Sequence, residues 1–119
     1  MLMLTSFVVM GATYTASAQN ISVTIAGMSG GEITAKQLSS DSVITTEPGY
    51  VIISFHLTIY TRGQNSPREF DGNYAHITEE MRRAISSTRA DTKIYFEYIR
   101  IKDSNGKMVT GKPIAFTIK

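Results

Sequence analysis

Apolar and polar residues alternate at a spacing of two along most of this chain. Ile21, Val23 and Ile25 alternate with Ser22, Thr24 and Ala26, which predicts a strand with one buried face. The longest such run is 50–60. Val51, Ile53, Phe55, Leu57 and Ile59 fall on one face, and Tyr50, Ile52, Ser54, His56, Thr58 and Tyr60 on the other. Five apolar positions at period two do not fit a helix. The segment 93–102 is also strand-like, but its alternation breaks: Ile94, Phe96 and Tyr98 share one parity, Ile99 and Ile101 the other. A β-bulge near Glu97 or Tyr98 lets both sets face a core. Ile114, Phe116 and Ile118 point inward from a closing strand, with Pro113 at its start, where a missing N–H costs no ladder bond. Shorter β-prone stretches lie at 42–46 and 69–73.

The period changes to that of a helix once over a substantial length. Ile77, Met81, Ala84, Ile85 and Thr88 share one face, predicting a helix over 78–87 that lies on a sheet with its arginines in water. Thr78 is placed to cap it. Glu79 and Glu80 in the first turn, with Arg82, Arg83 and Arg89 later, complement the helix dipole. A single helical turn capped by Thr34, with Leu38 inward, is expected after the first strand. Pro48-Gly49 reads as a turn, and Asp103-Ser104-Asn105-Gly106-Lys107 as a hairpin in which Asn-Gly favours a tight primed turn. Six or seven short strands and one helix predict a mainly β fold, an antiparallel, immunoglobulin-like β-sandwich with one packed α-helix.

Length and composition narrow the class. The 119 residues suit one domain. The apolar run Leu2 to Met10, followed by Ala16-Ser17-Ala18, reads as a secretory signal peptide over 1–18, leaving a mature domain over 19–119. It is short for a membrane span, and no later stretch is long and apolar enough to cross a bilayer. The chain has no cysteine, so a secreted domain of this size must rely on packing alone. Twelve basic residues against ten acidic give +2, too mild to imply nucleic acid or an anionic membrane. The expected location is periplasmic or secreted.

Motifs for chemistry are present only in outline. Gly27-Met28-Ser29-Gly30-Gly31 matches the G-x-S-x-G serine-hydrolase elbow, but that elbow needs a long helix after it and an oxyanion loop before it. The glycines read better as a tight turn using positive φ. No lysine follows to make a P-loop, and Pro113 spoils Thr110-Gly111-Lys112 for the same purpose. His56 and His76, with Glu69 or Asp71, match no metal-ligand spacing; His56 reads as a polar-face strand residue and His76 as a loop residue. The expectation is therefore no catalytic residue, no cofactor and no metal. Tyr50, Tyr60, Tyr74, Tyr95 and Tyr98 cannot all fit inside so small a core. Two or three exposed on a sheet face would provide a rigid contact patch.

The segment Ala26-Gly27-Met28-Ser29-Gly30-Gly31 after a strand, and Ile94-Tyr95-Phe96-Glu97 after a helix, resemble the C-terminal domain of the GldM/PorM family. These are the periplasmic motor-associated proteins of gliding motility and type IX secretion in Bacteroidetes. The Ile77-Thr78 helix entry and the closing Ile114-Ala115-Phe116-Thr117-Ile118-Lys119 extend the resemblance over 21–119. Family members carry a transmembrane helix and several periplasmic domains, act as dimers, and contact outer-membrane-associated ring components through the last domain. The expected arrangement in this chain is that last domain alone behind a leader. The resemblance therefore implies the binding role and not torque transmission, and it transfers no individual functional residue. The expected function is a non-enzymatic periplasmic or secreted protein-interaction domain, meeting a protein partner in the cell envelope or a second copy of itself. A small glycan- or peptide-binding sandwich unrelated to secretion is the alternative.

Overall fold

A computed structural model of the chain describes residues 20–119; the leader expected over 1–18 lies outside them. The elements in order are β1 (Asn20–Ile21), β2 (Val23–Ile25), β3 (Gly31–Ile33), α1 (Ala35–Ser40), β4 (Ile44–Thr46), β5 (Val51–Tyr60), β6 (Arg68–Asn73), α2 (Glu79–Ser86), β7 (Lys93–Lys102), β8 (Met108–Gly111) and β9 (Ile114–Ile118). The fold is mainly β, in two layers. One is a seven-stranded sheet; the other is the antiparallel pair β2–β4 together with the two helices. The architecture is the expected sandwich with a packed helix, plus the capped turn α1. The pairing pattern establishes the two layers without establishing an immunoglobulin-like strand order.

β7 organises the large sheet. One edge pairs antiparallel with β5 along its length, and β6 follows β5 at the far side. The other edge is shared. β9 takes the first half, Lys93 to Phe96, and β8 takes Arg100 to Lys102. The two arms are extended in parallel, β8 by β1 and β9 by β3. The core lies between the layers. Leu57, Ile94, Phe96, Ile99, Ile101 and Phe116 from the large sheet join Val23, Ile25, Ile44, Leu38, Met81 and Ile85 from the covering layer. Gly111 has no side chain because Val23, Ile99 and Ile101 crowd the position a Cβ would take.

Three details differ from the sequence expectation. The first predicted strand is two strands: the chain changes sheet at Ser22, so Ile21 belongs to the large sheet and Val23 and Ile25 to the small one. Alternation is the same whichever sheet receives a residue, so the pattern cannot reveal the change. In β5, Val51 is 57 % exposed and Ile52 is buried, the reverse of the expected parity. An extra residue there shifts the register between Ile52 and Ser54, and a matching irregularity on β7 lies between Arg100 and Glu97. The second is the bulge expected near Glu97 or Tyr98. It restores the original alignment of the two strands. The third concerns the 103–107 hairpin. Gly106 has φ +82° but Asn105 is not left-handed, so the turn is not a primed Asn-Gly turn. Asp103 instead holds the loop through its carboxylate, which accepts from the N–H groups of Asn105 and Lys107, both at 2.9 Å.

Both helices are capped as expected. The Thr34 hydroxyl accepts from the Gln37 N–H at 3.0 Å and the Thr78 hydroxyl from the Met81 N–H at 3.1 Å. Ile77, Met81, Ala84 and Ile85 are buried. The expectation that the arginines of α2 lie free in water fails for Arg82. Its Nε donates to the Ser39 carbonyl at 3.0 Å, tying α2 to the last turn of α1, where a cation suits the helix dipole.

The glycine segment has a structural role. Ala26 (φ +56°) and Gly27 (φ +74°) form the centre of a two-residue turn, closed by reciprocal backbone hydrogen bonds between Ile25 and Met28. Gly30, at φ +135°, lies where a Cβ would come within 2.9 Å of the Ala115 carbonyl oxygen. The turn returns the chain from the small sheet to the edge of β9, and Ser29 is exposed within it.

Candidate interaction surface

The uncovered face of the large sheet is built from β5, β6 and β7. Its most prominent residue is Tyr98. The β7 bulge turns Glu97 and Tyr98 outward in succession, between the buried Phe96 and Ile99. Tyr98 has φ +51° and is 73 % exposed. A bulky side chain in the left-handed region is an outlier that costs about 1–2 kcal/mol. Such strain persists where the surroundings enforce it, often at functional positions. A groove lies on each side of this ring. One, of about 530 Å³, opens where β8 and β9 part along β7, and is lined by Tyr95, Glu97, Asn20, Thr110 and Pro113 among others. The other, of about 340 Å³, is lined by Ser54, His56, Asp71, Asn73 and Arg100.

His56 supplies the electrostatics. It stands opposite Asp71 on β6, with Glu69 one pleat further along, and opposite Glu97 on β7. Nδ1 lies 2.8 Å from Asp71 Oδ1, and Nε2 lies 2.8 Å from Glu69 Oε1. An imidazole can donate from both nitrogens only when protonated. The hydrogen bond to Asp71, then that to Glu69, raises its pKa above the ordinary 6.5, against a smaller opposing effect of burial. When protonated, the ring clamps β6 to β5 and offsets repulsion between two carboxylates on one strand face. The Tyr98 ring lies beside it, with centroids 6.1 Å apart. Tyr60 and Tyr95 meet edge to face further along β5 and β7, at 5.6 Å and 79°.

His56 and the carboxylates Glu69 and Asp71, considered from the sequence as metal ligands, are thus brought together. Its two nitrogens engage different carboxylates on opposite sides of the ring, and among the described residues no group of three or more His, Cys, Asp or Glu is placed to hold a metal ion. His76 is in an exposed loop. Of the tyrosines, Tyr60, Tyr74 and Tyr98 are exposed; Tyr74 lies in the turn after β6 and not on the sheet face. Among the described residues no helix is long and apolar enough to cross a membrane.

A β-sandwich domain with a bare, aromatic sheet face of mixed charge is the class these features define. No protein-family model matches the chain, and no curated protein matches it.

Proposed function

We propose that the chain is a non-catalytic interaction domain acting in the periplasm or outside the cell, a relative of the C-terminal domain of the GldM/PorM family, and that it meets a protein partner through the bare sheet face around Tyr98. The observation that carries this reading is Tyr98 itself: an exposed aromatic ring held on a strained bulge between two grooves. Interface hot spots are enriched in tyrosine beside pockets. Around Tyr98 the carboxylates Glu97, Glu69 and Asp71 are interspersed with His56 and Arg100, which favours a partner surface of mixed charge. The sequence resemblance to the family supplies the envelope setting and the link to gliding motility or type IX secretion.

A glycan reading is favoured by one feature, the groove between Tyr95 and Tyr98 with Glu97 and Asn20 at its wall. The edge-to-face packing of Tyr60 on Tyr95 weighs against it, because a flat aromatic platform is what a sugar ring stacks on. Recovery of envelope proteins by the wild-type chain and by Tyr98→Gly separates the cases. A partner held by the wild type and lost from the variant supports the protein reading. Equal recovery by both counts against it, and binding to isolated envelope polysaccharide that depends on Tyr95 would replace it with the glycan reading.

A further inference from the structure

A second cavity, of about 450 Å³, lies between the β5–β6 connection and the end of α2. It shares no lining residue with the grooves beside Tyr98. Three arginines line it: Arg62, Arg68 and Arg89. Arg68 is held over the Phe70 ring at 5.4 Å, and Arg62 by Asp91 at 3.3 Å. Arg89 has no carboxylate within ion-pair distance among the described residues. A helix C-terminus normally turns negative carbonyls toward such a space. Here three of the carbonyls near that end are already occupied. The Arg83 carbonyl accepts from Ser86 Oγ and the Ser87 N–H, that of Ala84 from Ser87 Oγ, and that of Ile85 from Thr88 Oγ1. The guanidiniums therefore set the sign of the cavity.

We propose that this cavity binds a phosphate monoester, the phosphorylated head of a sugar or of a lipid. Three guanidiniums against one carboxylate leave an excess matched by the charge of roughly −1.5 to −2 that a phosphate monoester carries near neutral pH. A carboxylate or a sulfate ester supplies only half of that. Guanidinium forks also suit the oxygen geometry of phosphate. The volume is many times the roughly 30 Å³ share of one water molecule, leaving room for the group that carries the phosphate.

The test is an amide-resolved NMR titration of the whole chain with glucose 6-phosphate, with glucose 6-sulfate as control. It is joined by co-sedimentation with phosphatidylcholine vesicles containing or lacking phosphatidic acid. Saturable shifts at Gly63, Gln64, Thr88 and Arg89, weakened about tenfold or more in Arg68→Ala and in Arg89→Ala, support a soluble phosphoester. Sedimentation with phosphatidic acid alone, with the same arginine dependence, supports a lipid head. Both variants alter exposed side chains, and the unshifted remainder of each spectrum verifies their fold. Absence of binding to either probe overturns the proposal, as does binding that glucose 6-sulfate matches or that both variants retain in full.

Discussion

A tyrosine in a left-handed backbone conformation forgoes about 1 kcal/mol that glycine would keep. Tyr98 has little burial to offset that loss, so Tyr98→Gly is expected to raise the free energy of unfolding by up to about 1 kcal/mol while abolishing partner binding. Urea denaturation reads the first effect; a fall in the midpoint would show that contacts of the ring outweigh the strain. At His56 the effect depends on pH. Because its folded pKa is raised, its stabilising contribution is complete below about 6.5 and is lost as pH rises through the folded value. The wild-type urea midpoint should therefore decline more steeply than that of His56→Gln as pH rises above about 6.5. Parallel curves would mean that the clasp contributes nothing. The parity break in β7 was visible in the sequence, and with it the bulge, but the pattern grouped Tyr98 with the inward Ile94 and Phe96, whereas the bulge turns it outward, 73 % exposed. The clasp was not visible, since it depends on which β6 residue faces His56, and the 61–67 connection leaves that register open.

Among the elements, β6 is the one most dependent on a single small residue. Gly72 pairs directly with Phe55, and a Cβ there would come within 2.1 Å of the phenyl ring. Gly72→Val must displace the ring from the core, with an expected loss of about 1–3 kcal/mol. Thermal or urea unfolding measures it, and an unchanged midpoint would show that Phe55 has somewhere else to go. Local pattern read the elements well where chemistry was local. The caps at Thr34 and Thr78, the buried face of α2 and the inward residues of β9 all follow from residues within one turn or one strand. The pattern misread β5 because Ile52 and Ile53 are chemically alike, so nothing in composition marks which of them faces the core. It misplaced Arg82 for a related reason: the carbonyl of Ser39 that receives it lies on another helix.

For the molecule as a whole, the sequence indicated two layers but not how the sheet is closed. On the side of β7 away from β5, its rims are the parallel pairs β1–β8 and β3–β9, and no local signal announces a partner so distant along the chain. These pairs make the fold depend on β9, which also contributes the buried Ile114, Phe116 and Ile118. A chain ending at Lys112 should lack a cooperative unfolding transition and show collapsed amide dispersion. A native-like NMR spectrum from that fragment would show that the rim is dispensable.

The same pairings have a consequence in time. When this polypeptide emerges from a ribosome or threads through a pore with its N-terminus leading, the segment around Gly31 to Ile33 arrives long before Phe116 exists to receive it. The backbone of β3 must wait unpaired until the synthesis of β9 is complete. A chaperone that shields it during that interval would shorten the opportunity for aggregation without altering the finished domain.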